Sequence, residues 1–220
     1  MFLAAVPVQA QTYQYKRKFL EHYDDKLIHF GFFFAMPSTR FNIKHSNAFV
    51  PADSAFRITS PNRSGFQVGF IMNAFMTDRF DFRTTPSVSL YGREVTYDYP
   101  GGTSVTETRE STWLDVPLLL KYKSERRRNT RMYLLAGASF GIETNVRKNE
   151  VGTSRLSTAT TDMSLQYGVG LEQFFQYFKF APELRFSHGL PNIFRPTNNA
   201  AGLGISRLTT HTVTLYLNFE

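Results

Sequence analysis

The chain of 220 residues contains no cysteine. This absence excludes a disulfide scaffold, thiolate zinc and iron–sulfur sites, a cysteine nucleophile and a lipoprotein anchored through an N-terminal Cys. The chain also lacks any run of the roughly 20 apolar residues that a membrane-spanning helix requires. Charged residues make up 20% and hydrophobic residues 42% of the sequence, proportions that exclude a disordered, charge-rich chain.

Aromatic residues are abundant, with 22 Phe and 11 Tyr. They alternate with polar residues instead of forming continuous apolar segments. A spacing of two is typical of β-strands and excludes amphipathic helices, whose apolar residues recur every 3.6 positions. The chain is therefore either a water-soluble all-β domain or a transmembrane β-barrel, and its length fits one domain.

Eight segments of about ten residues show this alternation, which is the length that a tilted strand needs to cross the hydrocarbon layer. They are residues 27–36, 66–76, 80–91, 113–123, 131–143, 162–174, 177–187 and 209–219. Pro86, Pro117 and Pro182 fall within three of them and conflict with an uninterrupted sheet, because proline cannot donate to the ladder. We expect these prolines near strand ends or at bulges.

The connections between the segments alternate in length. Long connections cover residues 37–65, 92–112, 144–161 and 188–208, whereas the connections at 77–79, 124–130 and 175–176 are short. Bacterial outer-membrane barrels combine an even strand number with long outer loops and short periplasmic turns. The sequence therefore predicts an eight-stranded antiparallel up-and-down transmembrane β-barrel with both termini in the periplasm.

The two ends of the chain agree with export to the outer membrane. Residues 1–10 end in Val8-Gln9-Ala10, which fits the small-x-small rule of signal peptidase and predicts the remnant of a signal peptide. Residues 11–26 are then an N-terminal periplasmic tail, and residues 27–220 are the barrel. The last segment places Phe219 next to the final residue, as the closing strands of such barrels do.

The inward-facing positions carry charges of both signs. Four are cations and four are anions: Arg83, Lys121, Lys179, Arg185, Asp115, Glu143, Glu172 and Glu183. The interior of an eight-stranded barrel is only wide enough for side chains, and an unpaired buried charge costs several kcal/mol. We therefore expect a packed, internally paired lumen. A functional charged site, such as an acid pair or a narrow ion path, is the alternative.

Catalytic and metal chemistry find little support in the sequence. None of the five histidines forms an HxxxH or HxH pair, and no GxSxG motif is present. Ser187-His188 lies near a predicted rim, where small outer-membrane enzymes place catalytic groups, but adjacency of Ser and His is common. We expect no enzymatic activity, catalytic residues, metal, cofactor or small-molecule substrate.

Two basic clusters lie at the predicted periplasmic side. They comprise Lys16, Arg17 and Lys18 in the tail and Arg126, Arg127 and Arg128 in a short turn. Their cations either interact with lipid phosphates or dock a periplasmic protein partner. Nucleic-acid binding is not expected, because no aromatic–basic stacking motif is present.

The sequence contains YDDKLIHFGF at residues 23–32, followed by FNI at 41–43. These two motifs resemble the opening of the PorT-type family of outer-membrane barrels, which occur in Bacteroidetes. PLLLKYK at 117–123 and YFKFAPELRFSHGL at 177–190 are similar to two of its strands. PLLLKY is shared with many other barrels, so the first and last phrases carry the resemblance, and residues 195–207 show none.

The resemblance implies a non-catalytic component of the type IX secretion system. That system exports cargo proteins with C-terminal targeting domains and serves gliding motility or virulence-factor secretion. The implied partners are outer-membrane lipid and other envelope components of the system. The alternative is a general small outer-membrane β-barrel with a structural, adhesive or narrow solute-transport role.

Overall fold

The computed structural model describes residues 18–45, 57–98, 102, 104–144, 157–195 and 205–220. The strands are β1 (Ile28–His45), β2 (Arg57–Thr59), β3 (Arg63–Ser64), β4 (Phe66–Phe75), β5 (Phe80–Thr84), β6 (Ser87–Asp98), β7 (Ser104–Lys123), β8 (Thr130–Glu143), β9 (Ser157–Thr158), β10 (Thr161–Phe174), β11 (Lys179–Gly189), β12 (Phe194–Arg195) and β13 (Ile205–Phe219). No helix in these ranges is long and apolar enough to cross a bilayer. The predicted leader at 1–10 and the beginning of the tail lie outside them.

The long strands form a closed antiparallel barrel. Around the ring the order is β1, β4, the interrupted strand β5–β6, β7, β8, β10, β11 and β13, and β13 pairs again with β1. The closing ladder runs from Phe32 opposite Phe219 to His45 opposite Ile205, with one register shift between Lys44 and His45. The prediction of an eight-stranded up-and-down barrel is confirmed.

The two faces of the wall have opposite chemistry. Outward side chains are apolar and exposed, as for Phe30 (71%) and Phe70 (73%), whereas the inward Arg83 and Lys179 are completely buried. Successive side chains of a strand point to opposite faces, so the alternation in the sequence produces this division directly. We call the outward apolar surface the apolar band.

Several strands extend beyond their predicted ends at the side of the long connections, which we call the long-loop end. β1 continues through Pro37 to His45, and β6 and β7 remain paired up to Asp98 and Ser104. Much of the predicted loops at 37–65 and 92–112 is therefore strand. Outward residues become polar above the apolar band, so the apolar alternation that marks a strand is lost there.

The prolines lie at interruptions of the ladders and cause no change of register. Pro86 separates β5 from β6, and the neighbouring strand places Pro117 opposite this gap, because Leu118 pairs with Thr84 and Asp115 with Ser87. The Pro86 carbonyl still accepts a bond of 3.0 Å from the Phe70 amide. Pro86 thus lies between two strand ends, which is one of the two expected positions. Pro117 faces the same gap on one side and pairs with Ser139 on the other. Pro182 lies at a break in the β10–β11 ladder and pairs with Leu217 of β13 on its other side, so it does not lie at a strand end.

An apolar cluster occupies the interior of the long-loop end. Its buried members, which we call the apolar cap, are Phe41, Ile58, Val95, Tyr97, Ile193, Ile205 and Leu208. They come from the extended ends of the barrel strands, from β2 and from the segment that precedes β12. The cap covers a lumen that is mostly polar and also contains two smaller apolar clusters, one around Phe33 and one around Leu119.

Candidate functional site

The charges of the lumen converge on three glutamates near the end that carries the short turns, which we call the short-turn end. Glu172 on β10 is completely buried and contacts Lys121 on β7. It also accepts bonds from Lys179 Nζ at 3.0 Å and from Arg131 Nε at 2.6 Å. Three cations on three strands thus share one carboxylate, which is the arrangement expected where buried charge must be compensated.

Glu183 is the second carboxylate. It accepts bonds from Arg185 Nε at 2.8 Å, from the Tyr133 hydroxyl at 2.8 Å and from Arg83 Nη1 at 3.3 Å. Tyr133 fits here because Gly170 on the adjacent strand has no side chain, and a Cβ at that position would overlap the tyrosine ring. Packing and ion pairing are therefore coupled at this level of the barrel.

Glu220 is the third carboxylate, and the sequence analysis did not place it in the lumen. Its side chain is buried and accepts bonds from Arg83 Nη2 at 2.5 Å and from Lys179 Nζ at 2.9 Å. It follows the last strand residue and folds back across the barrel base. The alternation of β13 is the one sequence signal for this position: Tyr216 and Asn218 point inward, so the next residue at a spacing of two, Glu220, is expected to point inward as well.

We call these residues the lumen ion network: Arg83, Lys121, Arg131, Glu172, Lys179, Glu183, Arg185 and Glu220. It contains six of the eight lumen charges that the sequence singled out. Asp115 lies apart from it and accepts bonds from the hydroxyls of Ser89 at 2.6 Å and Tyr91 at 3.1 Å. Glu143 is buried near the top of β8. A separate pair, Lys123 with Asp81 at 2.6 Å, was not anticipated.

The tail closes the short-turn end beneath this network. The Tyr23 hydroxyl donates to Glu220 at 2.9 Å, and Asp24 pairs with Arg131 at 3.0 Å. Burial and the neighbouring carboxylate of Glu220 raise the pKa of the Tyr23 phenol, so the phenol keeps the proton that it donates. The Tyr23 ring also stacks on His29 at 4.0 Å between centroids.

The six predicted docking cations have different environments. Arg126 donates to the carbonyl oxygens of Leu20 (3.1 Å) and Phe19, and its guanidinium lies 3.7 Å over the Phe174 ring. It therefore holds the tail instead of presenting a free cation. Arg127, Arg128 and Lys18 are exposed, whereas Lys16 and Arg17 lie outside the described residues.

A small polar cavity of about 40 Å³ separates the ion network from the apolar cap. Asp115, Arg93, Asp162 and Gln166 are among its lining residues. A buried water needs about 10–15 Å³ of such space, so the cavity has room for a few waters and not for a solute. The lumen is thus polar but nearly filled.

Ser187 and His188 do not form a nucleophile–base pair. The Ser187 hydroxyl donates to Ser164 at 2.9 Å, whereas His188 approaches Tyr167 (3.1 Å) and His211 (3.0 Å) on the other face of the sheet. Adjacent strand residues point to opposite faces, so this separation is built into the strand. The described residues contain no group of three His, Asp or Glu arranged to hold a metal.

Comparisons with known proteins agree with this architecture. Residues 9–195 match the family described as "Outer membrane protein beta-barrel domain". The crystal structure of the outer membrane protein OprG from Pseudomonas aeruginosa is similar, with a TM-score of 0.52 and 14% identity over 87% of this chain and 92% of that one. No curated protein sequence matches the chain.

Proposed function

The chain belongs to the outer-membrane β-barrel family, and we propose that it acts there as a non-catalytic, non-conducting barrel that works through contacts with other proteins. The observation that carries this proposal is the filled lumen. Each cation of the lumen ion network contacts a carboxylate, the tail crosses the base, and the apolar cap covers the opposite end.

Single-channel recording in planar bilayers tests the occlusion. The full-length barrel is expected to insert without stable, ion-selective openings. Stable openings of one defined conductance would instead support the second candidate, narrow solute transport. A structural or adhesive role also remains compatible with the family.

The orientation is part of the proposal. The long-loop end faces the exterior, and the short-turn end, with the tail and Glu220, faces the periplasm. The alternation of long and short connections supports this assignment, because outer-membrane barrels have short periplasmic turns. The exposed cations Lys18, Arg127 and Arg128 are then available to a periplasmic partner.

Within this role, we propose that the barrel serves type IX protein secretion. The support is the resemblance of YDDKLIHFGF (23–32) and YFKFAPELRFSHGL (177–190) to PorT-type barrels. Deletion of the gene should abolish secretion of cargo with C-terminal targeting domains, while permeability to small solutes is unchanged. Normal secretion in the deletion strain would overturn the type IX role and leave the general barrel.

The basic surface at the base gives a sharper test. A complementing gene with Lys18→Gln, Arg127→Gln and Arg128→Gln should restore the folded barrel but not secretion. A crosslinking group placed at position 127 of the otherwise wild-type barrel should capture an envelope protein in intact cells. Full secretion by the triple variant would show that these cations are not the docking surface.

A further inference from the structure

The outward surface of β1 and β13 changes character above the apolar band. Its last apolar pair is Met36 with Leu215, followed by Ser38 with Val213. The next outward pair is Arg40 with His211, and the last pair before the register shift is Lys44 with Arg207. Arg40, Lys44 and Arg207 are all exposed. We call these three residues the rim patch.

The rim patch brings like charges together. Lys44 lies directly opposite Arg207, an arrangement that destabilises an antiparallel pair unless an anion compensates it. The intervening outward pair, Asn42 with Thr209, carries no charge. Arg207 donates to the Leu190 carbonyl at 2.9 Å through Nη2, and a guanidinium group carries four further N–H donors.

The patch begins at the height of the headgroup layer and extends above it. The last apolar outward residue is Val213, opposite Ser38. Arg40 lies two positions beyond Ser38, about 7 Å along a strand and roughly 5 Å along the membrane normal for a strand tilted by about 45°. Lys44 lies six positions beyond Ser38, about 20 Å along a strand and roughly 14 Å along the normal. The headgroup layer begins where the apolar band ends and is roughly 5–8 Å thick on each side. Arg40 therefore lies within this layer, whereas Lys44 and Arg207 lie above it and reach back to it through their long side chains.

The same level continues around the barrel. His211 is paired with His188 on β11, and the two rings face each other with their Nδ1 atoms 3.0 Å apart. Tyr167 on β10 extends the row through its bond of 3.1 Å to His188. Rings with a polar edge are typical of a membrane interface, which supports the assignment of this level to the headgroups.

We propose that the rim patch binds the phosphate groups of anionic lipids in the leaflet around the long-loop end. Guanidinium groups match phosphate oxygens in a bidentate geometry, and lysine adds a point charge. The bound phosphate neutralises the Lys44–Arg207 repulsion and fixes this side of the barrel in the membrane. The proposal requires the barrel to lie in lipid, but it does not depend on a role in secretion.

Titration of the folded barrel in neutral detergent, with bound lipids counted by native mass spectrometry, tests the proposal. The probes are phosphatidylglycerol and phosphatidylcholine with identical acyl chains. The wild type should prefer phosphatidylglycerol. In the variant Arg40→Gln, Lys44→Gln, Arg207→Gln, affinity should fall about fivefold for each cation removed, roughly a hundredfold in total.

The triple variant Lys18→Gln, Arg127→Gln, Arg128→Gln is the matched control, because it loses the same charge at the opposite end. It should keep most of the preference, and Arg40→Lys with Arg207→Lys should keep it as well. Equal losses in the two glutamine variants would overturn the proposal, since they indicate attraction by net charge. Displacement of the lipid by equimolar inorganic phosphate would also overturn it, because the site would then accept any free phosphate.

Discussion

Arg83 and Glu220 lie 137 residues apart in the sequence and meet inside the barrel, where Arg83 Nη2 donates to the Glu220 carboxylate at 2.5 Å. Replacement of one partner of a buried ion pair leaves the other charge uncompensated. In Glu220→Gln both Arg83 and Lys179 lose a negative partner. We expect the free energy of unfolding to fall by about 3–5 kcal/mol, measured by guanidinium titration in micelles.

Glu125→Gln is the control for this experiment. Glu125 lies in a turn, is 88% exposed and is 3.6 Å from Arg79. Exposed pairs of this kind contribute little to stability. Equal midpoints for Glu220→Gln and the wild type would show that Glu220 does not hold the lumen together.

Gly170→Ala is expected to destabilise the barrel because the new Cβ would overlap the buried Tyr133 ring. Overpacking of this type costs about 1–3 kcal/mol. Gly92→Ala is the matched control, since no atom lies within 4 Å of the Cβ position there. Thermal unfolding is monitored by near-ultraviolet circular dichroism. We expect the midpoint to fall for Gly170→Ala and not for Gly92→Ala. Equal midpoints in the two variants would contradict the packing at Tyr133.

Arg126→Ala should release the tail. The side chain donates to the Leu20 and Phe19 carbonyl oxygens, and hydrogen bonds to charged groups contribute about 1.5–3 kcal/mol each. Trypsin should therefore cleave after Lys18 and Lys26 at least roughly tenfold faster than in the wild type. Arg127→Ala, in the same turn, should leave the rate after Lys26 unchanged. Fragment masses over time give both rates, and equal rates in the two variants would mean that Arg126 does not anchor the tail.

Trp113 reports the inward face without any labelling. It is the single tryptophan of the chain, is 3% exposed, and donates from Nε1 to Ser111 at 2.9 Å. In bilayers of brominated lipid its fluorescence should be quenched little. The paired variant Trp113→Phe, Leu114→Trp moves the indole to the outward face and should be strongly quenched. Stronger quenching of Trp113 than of the tryptophan in the paired variant would show that the inward and outward faces are assigned the wrong way round.

The absence of cysteine allows the orientation to be tested with single thiols. Ser104→Cys lies at the start of β7 in the long-loop end, and Arg127→Cys lies in a short turn; both positions are exposed. A membrane-impermeant maleimide should label the first in intact cells and the second only after the outer membrane is disrupted. Labelling of position 127 in intact cells would invert the proposed orientation.

The wall of the barrel could be predicted from the sequence because its signal is local. Leu114 and Asp115 are neighbours in sequence, and their chemistry alone assigns one to each face. The register of the proline-containing strands was less accessible, because the gap at Pro86 is accommodated by a second proline, Pro117, on a different strand. Such compensation is visible only when the strands are paired.

The contacts of the base depend on tertiary structure. Arg126 belongs to a basic run that suggests a free docking surface, yet the tail that occupies it lies 106 residues away. Glu220 was overlooked because it follows the alternating segment and not because its chemistry is unusual. The apolar cap was missed for a related reason: its residues come from regions that contain polar outward positions, which hide the alternation.

The ladder between β1 and β13 joins the first long strand to the last. A barrel with this seam gains its closing hydrogen bonds only when the final strand is available, so a chain shortened before Ile205 would leave the edge of β1 unpaired in lipid. Closure is therefore a late event in assembly. Any factor that receives the unfinished barrel must shield two open edges until they join.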